Sequence, residues 1–393
     1  MTKLKMQMPT FTMDTTEVDG KKIPGIKDML NIALAIKDSV MLWGPCGVGK
    51  SQGVYQWNAD KVTEYAGTNK KWNPTVCDVR LSMKEPVDMI GIPVLSKDEN
   101  GKAVTVWATP SMWPQGNEFA GGTIFLDEIN QGQAAIQNAA FQLIQDRALG
   151  DYKVPDGYII VAAANPPAYN STVTEFSMPL ANRFSHFNVK ADFDSWFNYR
   201  LNNHGNVDVL SFLKTQDTSL LFDTKSIEEK IGNVNDALFT DVIITPRSWE
   251  VVEKVLSLDS NKFDADTKQR YCTGRLGIAV ATKLFTYIKD KEKYQSWKEV
   301  LEDGKPFRSE ELDQYWAVQI ACMTAISNEK SDDKCAKYVQ NFLKATRGLS
   351  KTSLKVINLT QLAKCKRIAG KMNIFCVTRD AQDLLTLTMQ AIQ

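Results

Sequence analysis

The chain has 393 residues, enough for roughly two or three domains whose cores need no disulfide staples. Hydrophobic residues make up 43% and charged residues 24%, globular values that exclude a largely disordered chain. Lys and Arg number 47 against 46 Asp and Glu, so no strong net field recruits nucleic acid or a membrane surface.

The charge is uneven locally. Ten of the basic residues fall within 334–371, which contains no Asp or Glu, so the rest of the chain is net acidic. Seven cysteines, an odd number with no C-x-x-C spacing, form neither a disulfide framework nor a zinc site, and they predict a reduced, cytoplasmic setting. No apolar leader follows Met1, and no stretch approaches 18 uncharged apolar residues, so no membrane span is expected.

Residues 1–24 read as a polar, extended N-terminal arm. Ile26, Met29, Leu30, Ala33 and Ile36 then recur at helical spacing. The apolar run Ser39–Trp43 reads as a buried strand, 51–65 as a helix and 76–81 as a second strand. Asn100-Gly101 between two apolar runs predicts a hairpin over 92–107, because both residues tolerate positive φ. A strand at 123–126, a helix over 134–147, a polar turn or hairpin at 149–157 and a very apolar strand at 158–164 follow. Strand and helix alternate through this half, which argues for a parallel sheet. After about residue 191 the strand signals fade, and 194–203, 207–214, 247–258, 266–289, 312–326, 334–346 and 353–369 all read as helices.

Gly44-Pro45-Cys46-Gly47-Val48-Gly49-Lys50-Ser51 fits the phosphate-loop pattern G-x-x-x-x-G-K-S, between a predicted strand and a predicted helix. Its glycines let backbone N–H groups approach phosphate oxygens, and the helix that follows points its positive end at them. Lys50 can reach the β- and γ-phosphates, and Ser51 can ligate Mg²⁺. A second acidic group is needed near such a metal, and Asp127 and Glu128 supply it at the end of a buried strand. Asp127 is suited to hold Mg²⁺ through water, and Glu128 to orient and polarise the attacking water. Asn165 emerges directly after the apolar strand 158–164, at the sheet edge where open α/β sheets bind ligands. It is suited to place that water against the γ-phosphate.

The ordered set of Gly44–Ser51, Arg80 to Pro93, Phe125 to Asn130, Asp146 to Tyr152, Ala162 to Pro166, Asn182-Arg183-Phe184 and Thr245 to Trp249 resembles the MoxR family of AAA+ ATPases. The likeness is closest to the branch associated with von Willebrand A-domain proteins and covers about residues 25 to 325. It implies an α/β phosphate-loop core over 25–191, an all-helical lid over 192–300 and a C-terminal helical extension over 301–393. It implies ATP with Mg²⁺ as cofactors, hydrolysis to ADP and phosphate, and a homo-oligomeric ring, usually a hexamer. It also implies chaperone-like remodelling or maturation of a protein client, or of a von Willebrand A-domain partner supplied in trans. By position, Asn165 is similar to sensor 1, Arg247 to the sensor 2 of the lid, and Arg183 to an arginine finger reaching a neighbour's γ-phosphate. Two departures stand out: Cys46 where proline is common, and Asn182 where an Asp is frequent before the finger.

Two other readings compete with the remodelling ATPase. One is a nucleotide-gated switch or scaffold with slow hydrolysis. The other is a nucleic-acid-stimulated motor using the basic stretch, disfavoured by the near-neutral overall charge. That stretch reads first as a solvated helical face with Leu354, Ile357 and Leu362 beneath it. His186 reads as a structural histidine in an edge strand, and Trp107 and Trp113 as packing residues.

Overall fold

The computed structural model describes residues 8–18, 21–116, 118–166, 178–216, 220–222, 242–291, 293–365 and 367–368. The chain divides into two units, Met1–Asp192 and Phe193–Gln393.

The first unit is built on strands Thr10–Phe11 (β1), Thr16–Val18 (β2), Lys21–Ile23 (β3), Val40–Trp43 (β4), Cys77–Arg80 (β5), Ile92–Lys97 (β6), Ala103–Ala108 (β7), Gly122–Asp127 (β8), Ala148–Leu149 (β9), Tyr152–Lys153 (β10), Tyr158–Ala164 (β11) and Ser185–Val189 (β12). Its helices are Ile26–Ile36 (α1), Lys50–Tyr65 (α2), Pro86–Ile90 (α3), Ala134–Asp146 (α4) and Met178–Ala181 (α5). Six strands form one sheet in the order β1-β12-β4-β11-β8-β5, with every neighbouring pair parallel. The expected α/β class with a parallel sheet is therefore present. Parallel strands covered on both faces must be apolar throughout. All of β11 and all of β8 except Asp127 are buried, which is why these runs read so plainly in the sequence.

Alternate residues of the central strands serve the two faces. Met41, Ile124, Leu126, Ile160 and Ala162 pack with Ile136, Ala140, Leu143 and Ile144 of α4. Phe125 points to the opposite face, where its ring meets Tyr55 of α2 edge-on, 6.5 Å between centroids.

The arm departs from a plain extended tail. Its residues Thr10–Phe11 extend the sheet beyond β12, and Ile26 and Lys27 of α1 donate to Thr12 O and Met13 O. His186 consequently lies in an interior strand, not at the edge. Its structural role holds: Nδ1 accepts from Trp43 Nε1 at 2.9 Å, so Nε2 carries the proton facing Ala181 O at 2.7 Å.

The predicted hairpin forms as β6–β7, paired only with itself, and leaves Ile92, Val94, Leu95, Val106 and Trp107 exposed. Trp107 therefore stands on an exposed ribbon, whereas Trp113 is buried, stacked on Tyr152 and donating to Met89 O. The turn at 149–157 becomes the small β9–β10 hairpin, and Asp151 in it accepts from Trp107 N at 2.8 Å.

The second unit is helical among its described residues: Phe193–Asn202, Val207–Thr215, Pro246–Leu256, Ala265–Lys291, Trp297–Leu301, Leu312–Asn328, Asp332–Arg347 and Thr352–Lys364. The span read as one helix over 266–289 is interrupted at Gly277, with φ 73° and ψ 161°. One apolar cluster joins Phe197, Tyr315, Ile320, Phe342 and Leu362, and a second joins Phe212, Trp249, Val252 and Leu284. Lys334, Lys337, Lys344 and Arg347 are exposed, while Leu354 and Leu362 are buried beneath the basic stretch and Ile357 is half-buried, as a solvated helical face requires. Residues 369–393 of the expected extension lie outside the described residues. No described helix is long and apolar enough to cross a membrane.

Candidate nucleotide site

The strand order brings four carboxyl ends side by side. β4 leads into the glycine-rich loop, β11 into Asn165, β8 into Asp127 and Glu128, and β5 into Leu81-Ser82. Ligands of open parallel sheets bind at this edge, where loops diverge and helix N-termini point inward.

The loop from Gly44 to Gly49 joins β4 to α2. Gly47 and Gly49 have φ of 82° and 94°, in the left-handed region that glycine enters without steric cost. A Cβ at Gly49 would meet no atom within 4 Å, so the loop presents open space there. Gly44 is confined instead, since a Cβ would come 2.7 Å from Val189 O. Val48 is buried under the loop and Cys46 is exposed on it, while Pro45 is partly covered.

Lys50 opens α2 and is buried. Its Nζ donates to Gly44 O at 2.7 Å, Pro45 O at 2.9 Å and Asn165 Oδ1 at 2.9 Å. The ammonium thus ties the loop to the β11 strand end. Ser51 Oγ donates to Asp127 Oδ2 at 2.9 Å, and Glu128 N donates to Asp127 Oδ1 at 2.9 Å. Burial pushes the Asp127 carboxyl up from its ordinary value; the Ser51 and Glu128 bonds and the Lys50 charge oppose that shift only in part. A half-buried hard-oxygen carboxylate beside a hydroxyl suits Mg²⁺, which keeps several waters and takes phosphate oxygens for the rest of its octahedron. The residues present therefore fit a magnesium–nucleotide pair.

Glu128 adopts φ 55° and ψ 36°, a left-handed conformation uncommon for a non-glycine residue. Its carboxylate accepts a hydrogen bond from Ser82 Oγ. Asn130 is buried, donates through Nδ2 to Asn165 O at 2.7 Å, and leaves Oδ1 without a partner among the described residues. Neither Ser82 nor Asn130 was assigned a role from the sequence. The available signal was positional: a hydroxyl just past the strand beside β8, and an amide two residues after the acid pair.

The predicted residues Lys50, Ser51, Asp127 and Asn165 are thus brought together, with Glu128 adjoining Asp127. Arg183 lies elsewhere on the first unit. It is exposed, with Nε and Nη2 donating to Gln145 Oε1 at 3.1 and 2.8 Å and its guanidinium 5.3 Å from the Phe141 ring centroid. Arg247 belongs to the second unit, exposed in the first turn of the helix Pro246–Leu256 after Thr245.

No family model matches the chain, and no curated protein matches it. Solved structures similar to it include NtrX from Brucella abortus, at 13% identity over 66% of this chain and 62% of that one, with a TM-score of 0.30. A Thermotoga maritima RuvB variant shares 14% identity over 76% of this chain and 82% of that one, with a TM-score of 0.34. Hsp104 with ATPγS and casein shares 14% identity over 67% of this chain and 45% of that one, with a TM-score of 0.32. The chain thus spans less than two-thirds of the NtrX and Hsp104 chains. The candidate site is defined by the geometry of the loop, the acid pair and Asn165.

Proposed function

We propose that the chain is an AAA+ ATPase of the MoxR type, hydrolysing ATP in an oligomeric ring to remodel or mature a partner protein. The ring is hexameric on the family resemblance, with 25–191 as core, 192–300 as lid and 301–393 as extension. The observation that carries the reading is the joined pair of contacts, Lys50 to Asn165 and Ser51 to Asp127, beneath a glycine loop with open space before it.

In this reading the loop amides and Lys50 bind the phosphates. Ser51 and Asp127 would hold Mg²⁺, which would supply charge neutralisation at the phosphate oxygens. Glu128 leaves Ser82 to orient and polarise the attacking water, and Asn165 fixes that water against the γ-phosphate. Arg183 of one subunit completes the neighbour's site, and Arg247 reports the nucleotide to the lid. An arginine supplied in trans is worth about 10³–10⁵ in rate, which couples hydrolysis to assembly. Such a ring would act on its client or von Willebrand A-domain partner in trans.

Two substitutions test the site. Glu128→Gln is expected to keep ATP binding and lose turnover, whereas Lys50→Ala is expected to lose binding, both read by equilibrium nucleotide titration beside phosphate release. Undiminished hydrolysis in Glu128→Gln would remove the assignment.

A further inference from the structure

Arg183 is held by neutral groups. Phe141 and Gln145 stand one turn apart on α4, so both face the same way. The Phe141 ring lies against the guanidinium, and Gln145 Oε1 accepts from two of its nitrogens. Two of the five guanidinium N–H groups are thereby used, and no ion pair to Arg183 is present among the described residues. Ring and amide together fix the plane and direction of the group without cancelling its charge. A carboxylate at 145 would fix it equally well and neutralise it. Asn182, the residue before it, is likewise neutral and exposed.

We propose that Phe141 and Gln145 are positioning residues that present Arg183, fully charged and with its remaining N–H groups outward, to a phosphate of nucleotide bound on a second copy of this chain. The inference rests on the reading of Arg183 as the residue that completes a neighbour's site, and it adds what orients that residue. Pre-ordering the guanidinium removes the conformational cost of fixing a long side chain as the phosphate is engaged, and the neutral holder leaves the charge available for the transition state.

The test compares turnover per chain of Gln145→Glu, Phe141→Leu, Arg183→Ala and the wild type at saturating ATP and high protein concentration. ATP affinity is measured for each on a Glu128→Gln background, with melting temperature as the check on folding. Arg183→Ala is expected to fall by about 10³ or more. Gln145→Glu is expected to lose about fivefold or more in kcat, with ATP affinity and melting temperature retained, because the new carboxylate holds Arg183 while compensating it. Phe141→Leu, which keeps the bulk and loses the ring face, is expected to lose a smaller factor in kcat alone. A purely structural contact would be kept or strengthened by Glu. Wild-type turnover in Gln145→Glu, with Arg183→Ala inactive, would therefore overturn the cradle and leave the finger standing. Wild-type turnover in Arg183→Ala would overturn the finger reading and the cradle with it.

Discussion

At Asp127 a carboxylate is kept in a partly buried place where its charge is only partly compensated, and burial raises its pKa above 3.8. A raised acid contributes stability that is full below the unfolded pKa and lost as pH rises through the folded one. Asp127→Asn should therefore melt higher than the wild type at pH 7 without nucleotide, with the gap closing as pH falls toward the ordinary carboxylate range. The same variant should lose the melting-temperature rise that Mg²⁺–ATP gives the wild type; thermal melts across pH read both effects. Ser82 belongs to the same scale, since its hydroxyl occupies the Glu128 carboxylate. Ser82→Ala is expected to raise turnover by about tenfold to a hundredfold, the factor set by one hydrogen bond to a charged group of about 1.5–3 kcal/mol, with ATP affinity unchanged. A rate at or below the wild type in steady-state phosphate release would mean that Ser82 assists Glu128. The loop and the acid pair were legible because backbone chemistry dictates glycines and because a charge ending an apolar strand stands out. Ser82 was not, because a lone serine carries no such pattern and its meaning depends on which strands become neighbours.

Among elements, the buried strands were the most legible, since a parallel strand covered on both faces has to be apolar throughout. β1 was hidden for the opposite reason: Thr10–Phe11 is too short for any periodicity, and only its pairing to β12 makes it a strand. That pairing also moved His186 from the edge to the interior. The span 265–291 kept its helical composition on both sides of the break, so only the glycines Gly274 and Gly277 marked it. Its φ of 73° with ψ 161° is a glycine conformation, and a Cβ there would meet no atom within 4 Å. Gly277→Ala is thus expected to cost about 1–3 kcal/mol through backbone strain alone, read as a lower denaturant midpoint. An unchanged midpoint would mean that the break relaxes into continuous helix.

For the whole molecule, composition gave the class and the strand–helix alternation gave the first unit, while the fading of strand signals gave the second. Each unit has its own apolar clustering among the described residues, against the α4 face of the sheet in the first and among the helices in the second. The order of strands in the sheet was not legible, because it depends on long-range pairing that no local pattern encodes, yet that order gathers Lys50, Asp127 and Asn165 at one edge. The most direct test of the proposed shared ATPase site is steady-state ATP hydrolysis per chain over a hundredfold range of protein concentration, with Glu128→Gln as the blank. The account predicts a rate per chain that climbs with concentration and then saturates, well above the blank. A rate equal to the blank at every concentration would contradict it.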